Sequence, residues 1–468
     1  MLFCSLEYII IFLPISIIGF FYYCNKENYL SAKIWIIICS IFFYGWWNVN
    51  YIPLVLSSVI FNYIFGHYIL TLDNKFKRKI IFILSITLNL LLLGYYKYSY
   101  FLLFNINLIH KFSLTPQHII LPLGISFFTF QQISFLCDYY RGEIKKVSFI
   151  DYATTVTFFP HLIAGPIIRY KEIIPQFNTN INKSVDYNNI TKGLFIFFIG
   201  LFKKIVIADT LSLYVNNGFS CPTQLSFIAA WITSLSFTFQ LYFDFSGYTD
   251  MAIGSALMFN IVFPINFNSP YKALNIKDFW DRWHITLSSF LRNYLYIPLG
   301  GNRNGISATY INILITFCIC GLWHGAGWNF IFWGFLHGIA LITHRIWKKN
   351  GFSLHPYLGW FLTFNFINLS WIFFRAEKTD FAINIITGMM GINGFLLDQL
   401  TQAAVDIRFI HCIFFSFVII FSKNTLQISA KLKTNWHTVL IVIVIAILIL
   451  IYSFSPTHVR SDFIYFDF

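Results

Sequence analysis

Two histidines, His284 and His324, stand where an ionisable side chain is energetically unfavourable. His324 lies in GLWHGAGWNFIFWG (321–334), inside a run (304–344) that holds no Asp, Glu, Lys or Arg. A titratable group in so apolar a setting is a functional-site candidate by default, because placing it there costs free energy. A neutral imidazole can accept a hydroxyl proton as the oxygen attacks a thioester, so the chemistry it suggests is acyl transfer with His324 as base. Three nearby glycines offer room for a substrate to approach the backbone, and Trp323 and Trp328 are placed to wall the site against water. On these residues alone, a hydrogen-bonded packing histidine between helices accounts for the position equally well.

His284 lies in NIKDFWDRWHITLSSFLRNYLYIPLGGNR (275–303). Asn275 and Asp278 read as a helix N-cap with an acidic residue at N3. Asp278 and Arg282 are four apart and can pair. Trp280, His284, Leu287 and Leu291 share one helical face, so the segment reads as one amphipathic helix along the membrane interface or under the bundle. His284 is then either a cavity-wall residue or a packed interfacial one. Asp244 and Asp250, in LYFDFSGYTDMAIG (241–254), are carboxylates close to apolar runs and should face a cavity or a cation. Pairing with Arg282 or Arg292 is the expected structural role. Trp323, Asn329, Asp244, Asp250 and Arg282 are the candidate lining residues. His161, His337 and His344 read as packing or interface groups. The end SDFIYFDF (461–468) reads as an interface anchor, a docking strand or a segment tucked into an apolar opening, with Tyr465 as a phenol able to carry an acyl group. No phosphate loop, nucleotide fingerprint or nucleophile elbow occurs. The eight cysteines, Cys221 among them, form no C-x-x-C pair, so neither a metal nor a disulfide framework is expected.

These residues need a scaffold, and the composition names its solvent. Of 468 residues only 11% are charged and 57% are hydrophobic, against about 25% charged in a soluble domain. A core cannot absorb that excess, so lipid must. The charge-free run 438–457 is long enough to span, since about 20 apolar residues cross a bilayer. The net charge of +13 is read as orientation rather than nucleic-acid binding. The N-terminus lacks a basic n-region and a small-residue cleavage site, so it reads as a retained helix. Expected spans are 6–24, 34–47, 51–72, 80–103 and 119–137, then a short, proline-interrupted, re-entrant segment at 154–168. Residues 193–215 read as partly interfacial. Residues 225–243 and 251–263 read as separate apolar segments joined by FDFSGYTD. The uncharged run 304–344 would be about 60 Å long as one helix, so it should fold as two passes broken near Gly321, Gly325 and Gly327. Spans at 358–374, 409–421 and 438–455 complete about twelve crossings. The basic loops DNKFKRK (73–79) and RGEIKK (141–146) belong on the cytoplasmic side, which puts both termini outside. The expected class is all-α and polytopic. A single membrane domain is expected to hold N-terminal helices (1–150), a core with both histidines (151–350) and C-terminal helices with the aromatic end (351–468).

Taken together, FFPHLIAGPIIR (158–169), LYFDFSGYTDMAIG, FPINFNSPY (263–271), the His284 segment, the His324 segment and FIYFDF resemble the membrane-bound O-acyltransferase family, in its bacterial alginate and peptidoglycan O-acetyltransferase branch. The resemblance implies a ring of 11–12 helices around a central tunnel. It implies that His324 corresponds to the active-site histidine and His284 to the second histidine near the same passage. It also implies a cytoplasmic acyl thioester substrate, acetyl-CoA or a carrier-protein thioester, no bound cofactor, a bacterial inner-membrane location and a periplasmic polysaccharide acetyltransferase partner. D-alanyl transfer to teichoic acid is the sibling alternative. A transporter using the histidines as a proton relay is the alternative from another class.

Overall fold

The computed structural model describes residues 1–110, 119–145, 147–179, 183–220, 225–395, 407–453, 455 and 460–466. Lys146, Cys221 and the last two residues of FIYFDF lie outside the described residues. All regular structure among the described residues is helical. The chain forms two compact units, 1–197 with 251–264, and 198–250 with 265–468.

The first unit contains α1 (Glu7–Asn25), α2 (Tyr29–Gly45), α3 (Val49–Thr71), α4 (Lys75–Ile109), α5 (Ile125–Tyr140), α6 (Phe149–Thr157), α7 (Phe159–Leu162) and α8 (Tyr170–Asn178). Asparagines punctuate it: Asn28 caps α2 by accepting from the Ser31 N–H, and Asn74 caps α4 by accepting from Phe76 and Lys77. Helices α3, α4 and α5 are joined by buried amides. Asn89 donates to Asn62 Oδ1 at 2.7 Å, and Ser58 donates to Gln132 Oε1 at 3.0 Å. Such side-chain bonds hold helices together where lipid supplies no hydrophobic drive between them. The expected re-entrant stretch is two short helices broken at Phe158, where ψ reaches 109°. It is buried almost throughout, as irregular backbone at membrane depth must be.

Helix α9 (Tyr187–Phe202) passes through a π-helical turn (Lys203–Ala208) into α10 (Asp209–Ser220) without a break. Then comes α11 (Phe227–Met258), a single 32-residue helix. It corrects the expectation that FDFSGYTD is a connector between two apolar segments. The stretch is helical because its carboxylates are neutralised by lysines rather than solvated in a loop. The second unit continues with α12 (Ile276–Trp280), α13 (Ile285–Leu291), α14 (Gly305–His324), α15 (Trp328–Lys349), α16 (Pro356–Arg375), α17 (Thr379–Met389), α18 (Ile407–Phe421), α19 (Thr425–Ser429) and α20 (Trp436–Ser453). The uncharged run does fold as two helices, α14 and α15, with the break at 325–327. They touch closely at Gly321, where an added Cβ would lie 2.1 Å from the Phe330 carbonyl oxygen.

Among the described residues, α1, α3, α4, α14, α15, α16 and α20 are long and apolar enough to cross a membrane. Helix α2 and residues Cys412–Phe421 are apolar but shorter. The remaining expected crossings carry buried polar residues, as α11 does with Asp244 and Asp250, or are shorter, as α5 is at 16 residues.

Candidate active site

His324 is the last residue of α14 and only 3% exposed. Gly325 and Gly327 are extended, so the chain leaves His324 abruptly before α15 begins. Around the imidazole stand Trp333 at 5.3 Å and perpendicular, Phe374 at 5.3 Å, Trp323 at 4.9 Å and Tyr465 at 5.7 Å, all between ring centroids. Trp333 stacks on Trp371. These walls make a setting of low polarity in which electrostatic interactions are strong. Two sequence expectations change here. The glycine space near His324 is filled by the chain itself, because a Cβ on Gly325 would lie 2.1 Å from the Phe330 ring. Trp328 is 63% exposed, and it is Trp333 and Phe374 that stand against the imidazole.

His284 does not sit within one amphipathic helix. It separates α12 from α13, with its backbone in the left-handed region at φ 43° and ψ 55°. The cause is Asn266. The Asn266 carbonyl accepts the Ile285 N–H at 3.0 Å, and its side-chain Oδ1 accepts the Thr286 N–H at 3.2 Å and the Thr286 hydroxyl at 2.7 Å. This chain-to-chain cap starts α13 afresh at Ile285. The same Oδ1 lies 3.3 Å from His284 Nδ1. A backbone N–H can only donate, so the atom facing Thr286 is an oxygen, and His284 Nδ1 must be the donor to it. In the neutral ring Nε2 is then the basic nitrogen. His284 is fully buried, with Phe245 at 4.8 Å, Trp323 at 6.2 Å and Tyr465 at 6.4 Å. Upstream, the Asn275 cap on Asp278 (2.9 Å) and the Asp278–Arg282 pair (2.7 Å) are present.

Residues 460–466 bring a third group to the two histidines. Tyr465 packs on Phe245 at 4.3 Å and contacts both imidazoles, while Phe463 stacks on Tyr248 at 4.3 Å. Burial pushes the Tyr465 phenol well above the usual tyrosine range, so it stays protonated at neutral pH unless a base takes its proton.

The carboxylates are placed differently from expectation. Asp250 pairs with Lys203 at 2.6 Å and Asp244 with Lys204 at 2.9 Å, not with Arg282 or Arg292. Arg282 instead serves Asp278 and the Asn268 carbonyl. Asn329 donates to the Ala376 carbonyl and accepts from Thr379, which joins α15 to the α16–α17 turn. His337 accepts from the Trp280 indole N–H at 3.2 Å and donates through Nε2 to Ser370, a packing arrangement. His161 lies against Phe158 and Phe263 in the first unit. Sequence reasoning did not single out Asn266, and it took Lys203, Lys204 and Asp209 only as marks of an interfacial segment, whereas all three are buried in ion pairs. Two adjacent lysines inside an apolar run were the available signal.

Residues 41–376 match the family model described as MBOAT, membrane-bound O-acyltransferase family. The chain is 50% identical to the peptidoglycan O-acetyltransferase of Helicobacter pylori over 430 residues, 85% of this chain and 81% of that protein. It is 40% identical to the probable alginate O-acetylase AlgI of Pseudomonas aeruginosa over 413 residues, covering 86% and 77%. With the teichoic acid D-alanyltransferase of Bacillus subtilis it shares 27% identity over 242 residues, half of this chain.

Proposed function

The chain belongs to the membrane-bound O-acyltransferase family, and from that membership we propose that it passes an acetyl group from a cytoplasmic thioester, acetyl-CoA or a carrier-bound equivalent, to an exported or cell-wall polysaccharide. It is a multi-pass membrane acyltransferase; the donor, the direction and the acceptor are the proposal. The observation that carries it is the meeting of the buried His324 and His284 with the partly buried Tyr465 in one aromatic site. His324 is the base. The Tyr465 oxygen attacks the thioester carbonyl as His324 takes the phenol proton, the carbon–sulfur bond breaks, and the departing thiolate recovers that proton as a thiol. The acetyl-tyrosine ester then yields its acyl group to a sugar hydroxyl, directly or through a periplasmic transferase partner, and the phenol is restored. His284, through Nε2, orients the donor carbonyl or the acceptor. The location is the bacterial inner membrane, with both termini outside.

Acetylation is favoured over D-alanylation because the acetyltransferase relatives match 85% and 86% of the chain, at 50% and 40% identity, against 50% of the chain at 27% identity for the D-alanyltransferase. The test is acetyl ester content of the surface polysaccharides in cells making wild type, His324→Ala or Tyr465→Phe at equal membrane levels. Esters should fall to background in both, on one identifiable polymer. Esters unchanged in His324→Ala would remove it from catalysis and leave transport as the better reading. Full activity in Tyr465→Phe would remove the relay alone.

A further inference from the structure

We infer that Lys204, with Asp209 and Asp244, is the anchor that docks residues 461–464 against the site and thereby sets Tyr465 against both histidines. This deepens the proposed function and rests on its relay reading. The three are positioning residues. The assembly begins with the π-helical turn at Lys203–Ala208. In an α-helix, positions five apart point about 140° away from each other. Here the Asp209 N–H bonds to the Lys204 carbonyl, the i→i+5 spacing of a π turn, and residue 209 comes back over residue 204. Asp209 Oδ1 then lies 2.8 Å from Lys204 Nζ. The opposing helix α11 comes close because of Gly247, where a Cβ would be 2.7 Å from the Gly200 carbonyl oxygen and 3.1 Å from the Lys204 backbone nitrogen. That approach puts Asp244 at 2.9 Å from the same ammonium.

The neighbouring Lys203–Asp250 pair is one cation against one anion. Lys204 serves two carboxylates, whose other oxygen lone pairs remain acceptors to be satisfied. The chain end supplies the donors. The Ile464 N–H donates to Asp244 Oδ2 at 2.8 Å, and the Ser461 hydroxyl donates to Asp209 Oδ1 at 2.6 Å. Lys204 Nζ donates to the Ser461 carbonyl at 2.9 Å and lies 3.3 Å from that of Asp462. Residues 460–463 lie outside the helices, and such a segment is poorly ordered unless tied down; a buried charge cluster left short of partners is likewise unfavourable. Each therefore holds the other. Most of the contacts are to backbone, so they fix register: Tyr465 follows directly after the anchored Ile464.

The experiment measures amide hydrogen exchange and polysaccharide ester formation on the full-length protein in lipid nanodiscs and cells. Lys204→Met should lower protection of the peptide containing Ile464 by about tenfold or more and lower ester yield comparably, with α14 and α15 peptides unchanged. Lys204→Arg should restore part of both. A second variant acts from the chain end and leaves the helices intact: Ile464→Pro removes the donated N–H and should release the segment in the same way. Tyr465→Phe should keep the protection while losing the esters. Unchanged protection in Lys204→Met and Ile464→Pro would overturn the anchor. Lost protection with full ester yield would overturn its positioning role, and so would loss of protection spreading through α14 and α15. If Tyr465→Phe is fully active, the relay reading fails while the exchange result still decides the anchor.

Discussion

His284 holds a left-handed backbone that costs a non-glycine residue about 1–2 kcal/mol, and the surrounding bonds from Asn266 oblige it to. Asparagine tolerates that conformation better than most residues. His284→Asn should therefore keep the protein folded while removing the imidazole, and ester formation in that variant isolates the chemical part of His284. Asn266→Ala removes the oxygen that orients the ring and caps α13. It should lower kcat by about 100-fold with little change in KM, as misplacement by an ångström does; initial rates with a labelled acetyl thioester would measure it. At this scale the sequence marked the three residues that meet but left each open between packing and chemistry. His324, His284 and Tyr465 are residue types with obvious chemistry in segments with few rivals. Asn266 and Lys204 were not marked as site residues, because their importance lies in atoms they meet across the fold. Asn266 looks like one polar residue in a loop until Thr286 and His284 arrive beside it.

Helices α14 and α15 place His324 by touching backbone to backbone, and that contact is sharply testable. Gly321→Ala pushes a methyl against the Phe330 carbonyl and should destabilise the protein by about 1–3 kcal/mol. Gly327→Ala meets its nearest neighbour only at 3.6 Å in extended backbone and should be near neutral. Thermal unfolding in detergent would separate the two. The Lys203–Asp250 pair gives a second test at this scale. Lys203→Met leaves a buried carboxylate uncompensated, at a cost of about 3–5 kcal/mol, and adding Asp250→Leu should recover most of it. The α14–α15 break was legible, since an uncharged run of that length must fold back and its glycines are clustered. The continuity of α11 was not. FDFSGYTD carries two carboxylates, and without sight of Lys203 and Lys204 they argue for a polar connector. The His284 segment misled for the opposite reason: its i, i+4 pattern is regular, and only a cap from a distant asparagine splits it.

For the molecule as a whole, composition decided the solvent, and the apolar outward residues on the spanning helices agree with it. What hydropathy counted less well were helices that bury polar side chains against protein, since a carboxylate neutralised by a lysine scores the same as one in water. Orientation is open to a direct check. With the loop 73–79 in the cytoplasm, Phe76→Cys should resist a membrane-impermeant maleimide in intact cells, whereas Val49→Cys at the other end of α3 should react. The reverse labelling pattern would invert the topology and with it the proposed direction of acyl transfer.

The indole walls around His324 also have an optical consequence. Trp283, Trp323, Trp333 and Trp371 are all at most 3% exposed and lie within one connected group of rings that includes both histidines. Indoles kept from water emit at short wavelength, and their emission answers to any change in what lies against them. Donor entry, or departure of Tyr465 from its seat, should therefore alter the intrinsic fluorescence of the unlabelled protein, giving a binding signal that does not depend on turnover.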